Sequence, residues 1–253
     1  MGFTIAVAGK GGSGKTSVVS LIIRYLVRHQ LGPILAVDAD ANANLGESLG
    51  LDVTHTVGAI LAEFQGDKIK IPAGMTKQNY LEYKLNQVVL ESKEIDLITM
   101  GRGEGQECYC YPNVILRKFV DSLVDNYAYT VMDNEAGMEH LSRGTTQNID
   151  ELVIISNHSV KGIRTVARVK ELVSDLGLVV KRQSVLVNMV PNGLDPRLID
   201  ELVKLNVEPV TTIPKDEEIL KYDLEVRSLL ELPATSEAVK AVDKFMSNLL
   251  RDS

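Results

Sequence analysis

Apolar residues in this chain fall into short, nearly continuous runs, separated by longer stretches where they recur every three or four positions. The runs are Phe3–Ala8, Ile34–Asp38, Ile95–Met100, Tyr129–Asp133, Glu151–Ile155, Gln183–Asn188 and Val210–Ile213. Each is the length of a strand, and a nearly continuous apolar strand is one buried on both faces. The intervening stretches read as helices over about 15–29, 57–65, 112–125, 159–176, 195–204, 215–223 and 235–250, with an ambiguous segment near 80–90. In the first of them Val18, Leu21, Ile22, Tyr25 and Leu26 share one face. Strand and helix alternating in this way predict an α/β fold, a mostly parallel sheet flanked by helices on both faces. The 253 residues fit a single domain, 1–253, because no Pro/Gly/Ser-rich linker, repeat or low-complexity stretch divides them.

Ligands in such folds sit outside the carboxyl ends of the strands, so the residues just past each run carry the information. The first run leads into Gly9-Lys-Gly-Gly-Ser-Gly-Lys-Thr16, a phosphate-binding loop between strand and helix. Gly11, Gly12, Ser13 and Gly14 are expected to turn backbone N–H groups around phosphate oxygens, with Lys15, Thr16 and Ser17 completing the nucleotide cradle. Lys15 is assigned to the β- and γ-phosphates and Thr16 to Mg²⁺. The second run ends in Asp38-Ala-Asp40, whose two carboxylates fit either Mg²⁺ and water positioning or an Asx-rich turn. The run ending in Asp133 has the form of a Walker B strand, an acid after four apolar or aromatic positions that holds Mg²⁺ through water. Asn134-Glu135-Ala136-Gly137 continues it as a switch, with Gly137 allowing the backbone near the γ-phosphate.

Net charge is −7, which argues against a dedicated nucleic-acid surface. The N-terminal apolar stretch is too short for a signal peptide, and no run reaches the ~20 apolar residues of a membrane span, so a soluble cytoplasmic protein is expected. Two cysteines, Cys108 and Cys110, flank one tyrosine in a glycine-rich loop. A soft-metal site wants about four donors, so the pair suits Zn²⁺ or Ni²⁺ shared with a two-fold mate. A redox pair or two packed thiols are the other readings. The histidines at 29, 55, 140 and 158 have no partner at metal-ligand spacing.

The form Lys10-Gly-Gly-Ser-Gly-Lys-Thr16 resembles the deviant P-loop of MinD-like (SIMIBI) ATPases. That resemblance implies a homodimer through the nucleotide face in which Lys10 reaches the partner's phosphates. It also implies that Asp40 positions the water, Asp38 lies near Mg²⁺, Asn188 reads adenine, and the segment after Pro214 closes over the base. Adding the Cys108-Tyr-Cys110 loop and Asp133-Asn-Glu-Ala-Gly137-Met-Glu-His, the chain resembles the CooC and AcsF accessory ATPases. A Mg-dependent ATPase is then expected, coupling ATP/ADP turnover and dimerisation to nickel delivery into carbon monoxide dehydrogenase or acetyl-CoA synthase. Two alternatives remain: an iron-protein-like ATP-dependent reductase, and a MinD/ParA-like spatial-positioning ATPase acting on membrane or DNA. A reductase cluster needs a second cysteine near Asp133, which this chain lacks. The C-terminal helix mixes Lys240, Asp243, Lys244 and Asp252 opposite its apolar stripe, a pattern of core packing without the basic excess of a membrane binder.

Overall fold

The computed structural model describes residues 2–65, 71–102, 119–134, 148–207 and 210–251. Seven strands among them form one sheet: β1 Phe3–Gly9, β2 Ile34–Ala39, β3 Asp96–Thr99, β4 Tyr129–Asn134, β5 Asn148–Asn157, β6 Val179–Val190 and β7 Val210–Pro214. The order is β3-β2-β4-β1-β5-β6-β7, and every neighbouring pair is parallel. From β1 the chain builds one flank with β2 to β4 and the other with β5 to β7. The end of β1 is therefore the switch point at which ligands bind in open sheets.

The described helices are α1 Lys15–Arg28, α2 Leu45–Leu49, α3 Val57–Gln65, α4 Lys77–Asn86, α5 Val160–Asp175, α6 Pro196–Lys204, α7 Glu217–Leu224 and α8 Glu237–Arg251. A 3₁₀ turn spans Leu229–Glu231, and residues 119–124 are also helical. Successive strand residues point to opposite faces, and both faces are covered, which explains the nearly continuous apolar runs. Ala6 and Ala8 join one buried cluster with Leu81, Leu85, Ile163 and Leu198. Ile5 and Val7 join the other, with Leu21, Ile22, Val239 and Met246. Each fully buried side chain of this size contributes about 1.5–3 kcal/mol, so neither face can be uncovered cheaply.

The ambiguous stretch near 80–90 resolves into α4, which Thr76 caps by accepting the Asn79 N–H at 3.1 Å. The C-terminal stripe packs as expected, with Val239, Val242, Phe245, Met246 and Leu249 all buried on α8. Two elements escape the periodicity. α2 is only five residues long, ended by left-handed Gly50. β6 begins well before its apolar run, where Val179–Gln183 alternates between exposed and half-buried. That polar stretch is anchored on β5 by Lys181–Asp150 and Arg182–Glu151 pairs of 2.7 and 3.3 Å. No helix of the described residues is long and apolar enough to cross a membrane.

Candidate nucleotide site

β1, β2 and β4 bring the phosphate loop and the two strand-end aspartates to one edge. In register, Asp133 stands opposite Val7 on one side and Asp38 on the other. The chain then turns at Gly9, where a Cβ would lie 2.2 Å from the Ile155 carbonyl of β5. Only glycine permits that approach. Lys10, Gly11 and Gly12 are exposed at the rim, whereas Ser13 is fully buried. Gly14 sits at the N-cap of α1 in the left-handed region, φ 81°, and supplies no side-chain cap. The first-turn N–H groups of α1 therefore remain open to an anion and carry the positive end of the helix dipole.

Lys15 is 7% exposed, held at the base of the loop. Thr16 donates its hydroxyl to Asp133 Oδ2 at 2.6 Å. Asp133 is buried, and its second oxygen, Oδ1, has no hydrogen-bond partner among the described residues. Burial pushes its carboxyl up to about 7; the Thr16 hydrogen bond opposes this, and the Asp38 charge adds to it. Asp38 is also fully buried and is pushed up to about 6, again by burial. Its oxygens accept the backbone N–H of Asp40 at 3.1 Å and of Leu45 at 2.9 Å, which folds the loop 40–44 back onto the sheet edge. Asp40 is half-exposed, and its Oδ1 accepts from the backbone and amide of Asn42 at 2.9 and 3.0 Å. Below them the Ser20 hydroxyl meets the Thr16 carbonyl at 2.9 Å and the Ser48 hydroxyl at 2.8 Å, linking α1 to α2.

A cavity of about 450 Å³ opens beside this first turn, lined by Thr16, Ser17, Asn44, Glu47, Ser48 and Arg227 among others. On the other flank, a register shift between β6 and β7 falls between Val187 and Val190. Met189 takes φ 57° there, and the irregularity turns Asn188 toward the phosphate loop. Its Nδ2 donates to the Ser13 carbonyl at 3.0 Å, and its Oδ1 accepts from the Met189 N–H at 2.9 Å. A Cβ at Gly14 would lie 2.3 Å from that Nδ2. Asn188 is therefore a brace under the phosphate loop, a role that the adenine expectation did not include. Pro214 ends β7 beside it, opposite Val190.

An all-oxygen set with one buried carboxylate oxygen still unpartnered fits Mg²⁺, which takes one or two protein ligands and fills its shell with phosphate and water. No group of three or more His, Cys, Asp or Glu among the described residues, this edge included, is placed to hold a metal ion. His158 accepts the Asp195 N–H at 3.3 Å, and the His29 ring bonds the Tyr25 carbonyl at 2.9 Å. Cys108, Cys110, Glu135, Gly137 and His140 lie outside the described residues. The signal for Asn188 as a brace was present in the sequence only as an asparagine after an apolar run. The link from the Thr16 carbonyl through the Ser20 hydroxyl to Ser48 carried no signal at all.

A model of the CobQ/CobB/MinD/ParA nucleotide binding domain matches residues 4–229. The chain is 41% identical to an uncharacterised ATP-binding protein of Methanocaldococcus jannaschii over 249 residues, 97% of this chain and 98% of that one. It is 28% identical over 185 residues to the carbon monoxide dehydrogenase accessory protein CooC of Rhodospirillum rubrum, covering 69% of this chain and 70% of that one. The fold superposes on the cell division ATPase MinD of Pyrococcus furiosus with a TM-score of 0.72 at 19% identity, over 100% of both chains. This chain belongs to the CobQ/CobB/MinD/ParA family of nucleotide-binding domains and is a P-loop ATPase of that fold.

Proposed function

We propose that this chain is a Mg²⁺-dependent ATPase that works as a nucleotide-gated homodimer. The observation that supports it best is the part-buried Thr16–Asp133 contact of 2.6 Å at the foot of the phosphate loop, with Asp38 in register beside it. Thr16 and Asp133 would hold Mg²⁺, which would supply charge neutralisation between the β- and γ-phosphates. The α1 N–H groups and Lys15 bind the phosphates. Asp40, at the half-exposed end of its loop, orients the attacking water. Lys10 lies exposed at the rim and reaches the phosphates held by the second copy. Cations aimed at the transferred phosphoryl group act where charge spreads in the transition state. On the opposite flank Asn188 and the segment after Pro214 receive the adenine.

Because hydrolysis opens such a dimer, slowing it should trap the closed form. Light scattering on a sizing column should show Asp40→Ala as a dimer in Mg·ATP and a monomer in ADP. A monomer in both would remove the gating idea.

Two outputs of the switch have support. Kinship of fold with MinD favours a positioning role. In this chain, however, the apolar stripe of α8 is spent inside the core, so a membrane would need another surface. The similarity to CooC, together with Cys108-Tyr-Cys110, favours metal delivery. Two chains would share one Ni²⁺ or Zn²⁺ as cargo for carbon monoxide dehydrogenase or acetyl-CoA synthase. Metal content per chain, measured with and without Cys110→Ala, tests the second output. Half an equivalent in the wild type and none in the variant would support it, and no bound metal in the wild type would end it. ATP-stimulated sedimentation with vesicles or DNA would favour positioning.

A further inference from the structure

Asp216 lies two residues beyond Pro214, and its carboxylate serves two helices at once. Oδ1 accepts the Glu218 N–H at 2.9 Å and caps α7. Oδ2 accepts the Ser236 hydroxyl at 2.6 Å and the Ala238 N–H at 3.1 Å, at the start of α8. Ser236 in turn accepts the Val239 N–H at 3.1 Å, so the serine caps α8 and the aspartate holds the cap. A cap for α7 alone needs one oxygen. The second is committed to a site 20 residues further along the chain.

That commitment has a geometric consequence. α8 packs along α1, the helix that carries the phosphate loop, through Val239, Val242, Phe245 and Met246. Arg24 of α1 reinforces the contact, 3.9 Å from Asp243 of α8 and 2.8 Å from the Leu232 carbonyl. At the other end, the Lys215 N–H donates to the Val190 carbonyl at 2.9 Å, fixing the turn after Pro214 beside Asn188. The connection runs from phosphate loop to α1, from α1 to α8, and through one carboxylate back to the turn at 214–216. A negative charge at two helix N-termini is stabilised by both dipoles and by charge-assisted hydrogen bonds.

We infer that Asp216 is the positioning residue for the base-side wall of the nucleotide site, setting the distance between the Pro214–Lys215 turn and the phosphate loop. This rests on the reading above, in which that turn receives the adenine. Asp216 touches no reacting atom. Its removal should loosen the grip on the nucleoside and leave both phosphate binding and chemistry in place.

The test compares ATP with inorganic tripolyphosphate, which carries the phosphates but no base, each with Mg²⁺. Asp216→Ala should raise the KM for ATP about ten-fold, the scale expected for a lost cap, with kcat within two-fold of wild type. Affinity for tripolyphosphate, read by calorimetry, should not change. Asp216→Asn keeps one acceptor oxygen and should fall between. Ser236→Ala, which removes a single link, should raise KM about three-fold with the same selectivity, and it carries the test if Asp216→Ala fails to fold. Equal losses for ATP and tripolyphosphate would reduce Asp216 to a fold-holding residue and overturn the inference, as would an unchanged KM. A wild-type chain that binds tripolyphosphate and ATP equally well would instead show that no base is read on this flank, which defeats the underlying reading itself.

Discussion

Asp133 and Asp216 are aspartates at the same edge of one sheet, and they are treated in opposite ways. Asp133 is buried with one oxygen bonded to Thr16 and the other unpartnered among the described residues, and its carboxyl is pushed up to about 7. Burial also opposes ionisation of Asp216, yet the Ser236 hydroxyl and the Ala238, Glu218 and Glu237 N–H groups hold it below the usual carboxylate range. The first leaves an acceptor open and the second is a finished joint. A raised carboxyl alone does not mark a site. Glu151, near the far end of β5, is also raised by burial and also keeps one oxygen, Oε1, without a hydrogen-bond partner among the described residues, yet it is bonded to Ser184 and paired with Arg182. What separates Asp133 is where its unpartnered oxygen lies, beside the open N-terminus of α1 and bonded through Thr16 to the phosphate loop.

The largest expected effect breaks the unfinished side. Asp133→Asn should lower kcat by about two to three orders of magnitude, the scale for losing a group that supports transition-state charge. It should also raise the melting temperature of the nucleotide-free protein. The native carboxyl titrates higher than the unfolded one, so ionisation costs stability as pH rises from about 4 through about 7. The gain from Asn should therefore be larger at pH 8 than at pH 5; scanning calorimetry at both values decides it.

Next in size is Lys10→Ala, which asks whether the phosphate edge is complete within one chain. Turnover should fall at least about a hundred-fold while ATP affinity is kept, as for other cations supplied across an interface. Wild-type turnover would place every needed cation in one subunit. Gly14→Ala pushes a Cβ into the Asn188 amide at 2.3 Å and forces a left-handed backbone on alanine, so the KM for ATP should rise about ten-fold. Smallest is Asn188→Ala. Loss of the bond to the Ser13 carbonyl should cost about 1 kcal/mol of stability and raise KM a few-fold. If Asn188→Ala exceeded Gly14→Ala, the contact of Asn188 with the base would outweigh its bracing of the loop.

The phosphate edge was legible because each of its parts is local. Gly9 to Thr16 is one contiguous octet, and Asp38 and Asp133 each end an apolar run, so strand periodicity alone put them at one edge. The base-side joint was not legible. Asp216 and Ser236 are 20 residues apart, and nothing in either neighbourhood announces the other. The sequence placed a helix near 215–223, yet an aspartate before Glu217 and Glu218 reads as an ordinary cap, which is half of what it does. The start of β6 was missed for a related reason. Its residues are half-exposed there and held by ion pairs to β5, so the apolar run marks only the part covered on both faces. α2 is too short to show a helical period, and its position depends on Asp38 accepting the Leu45 N–H seven residues away.

Turnover by this chain should depend on Mg²⁺ held at Thr16 and Asp133. Phosphate release from ATP by the wild-type chain, measured with Mg²⁺ and again in excess chelator, tests it most directly. Steady release is expected with Mg²⁺ and none above background in chelator. Release that continues undiminished in chelator, or none in either condition, would contradict it.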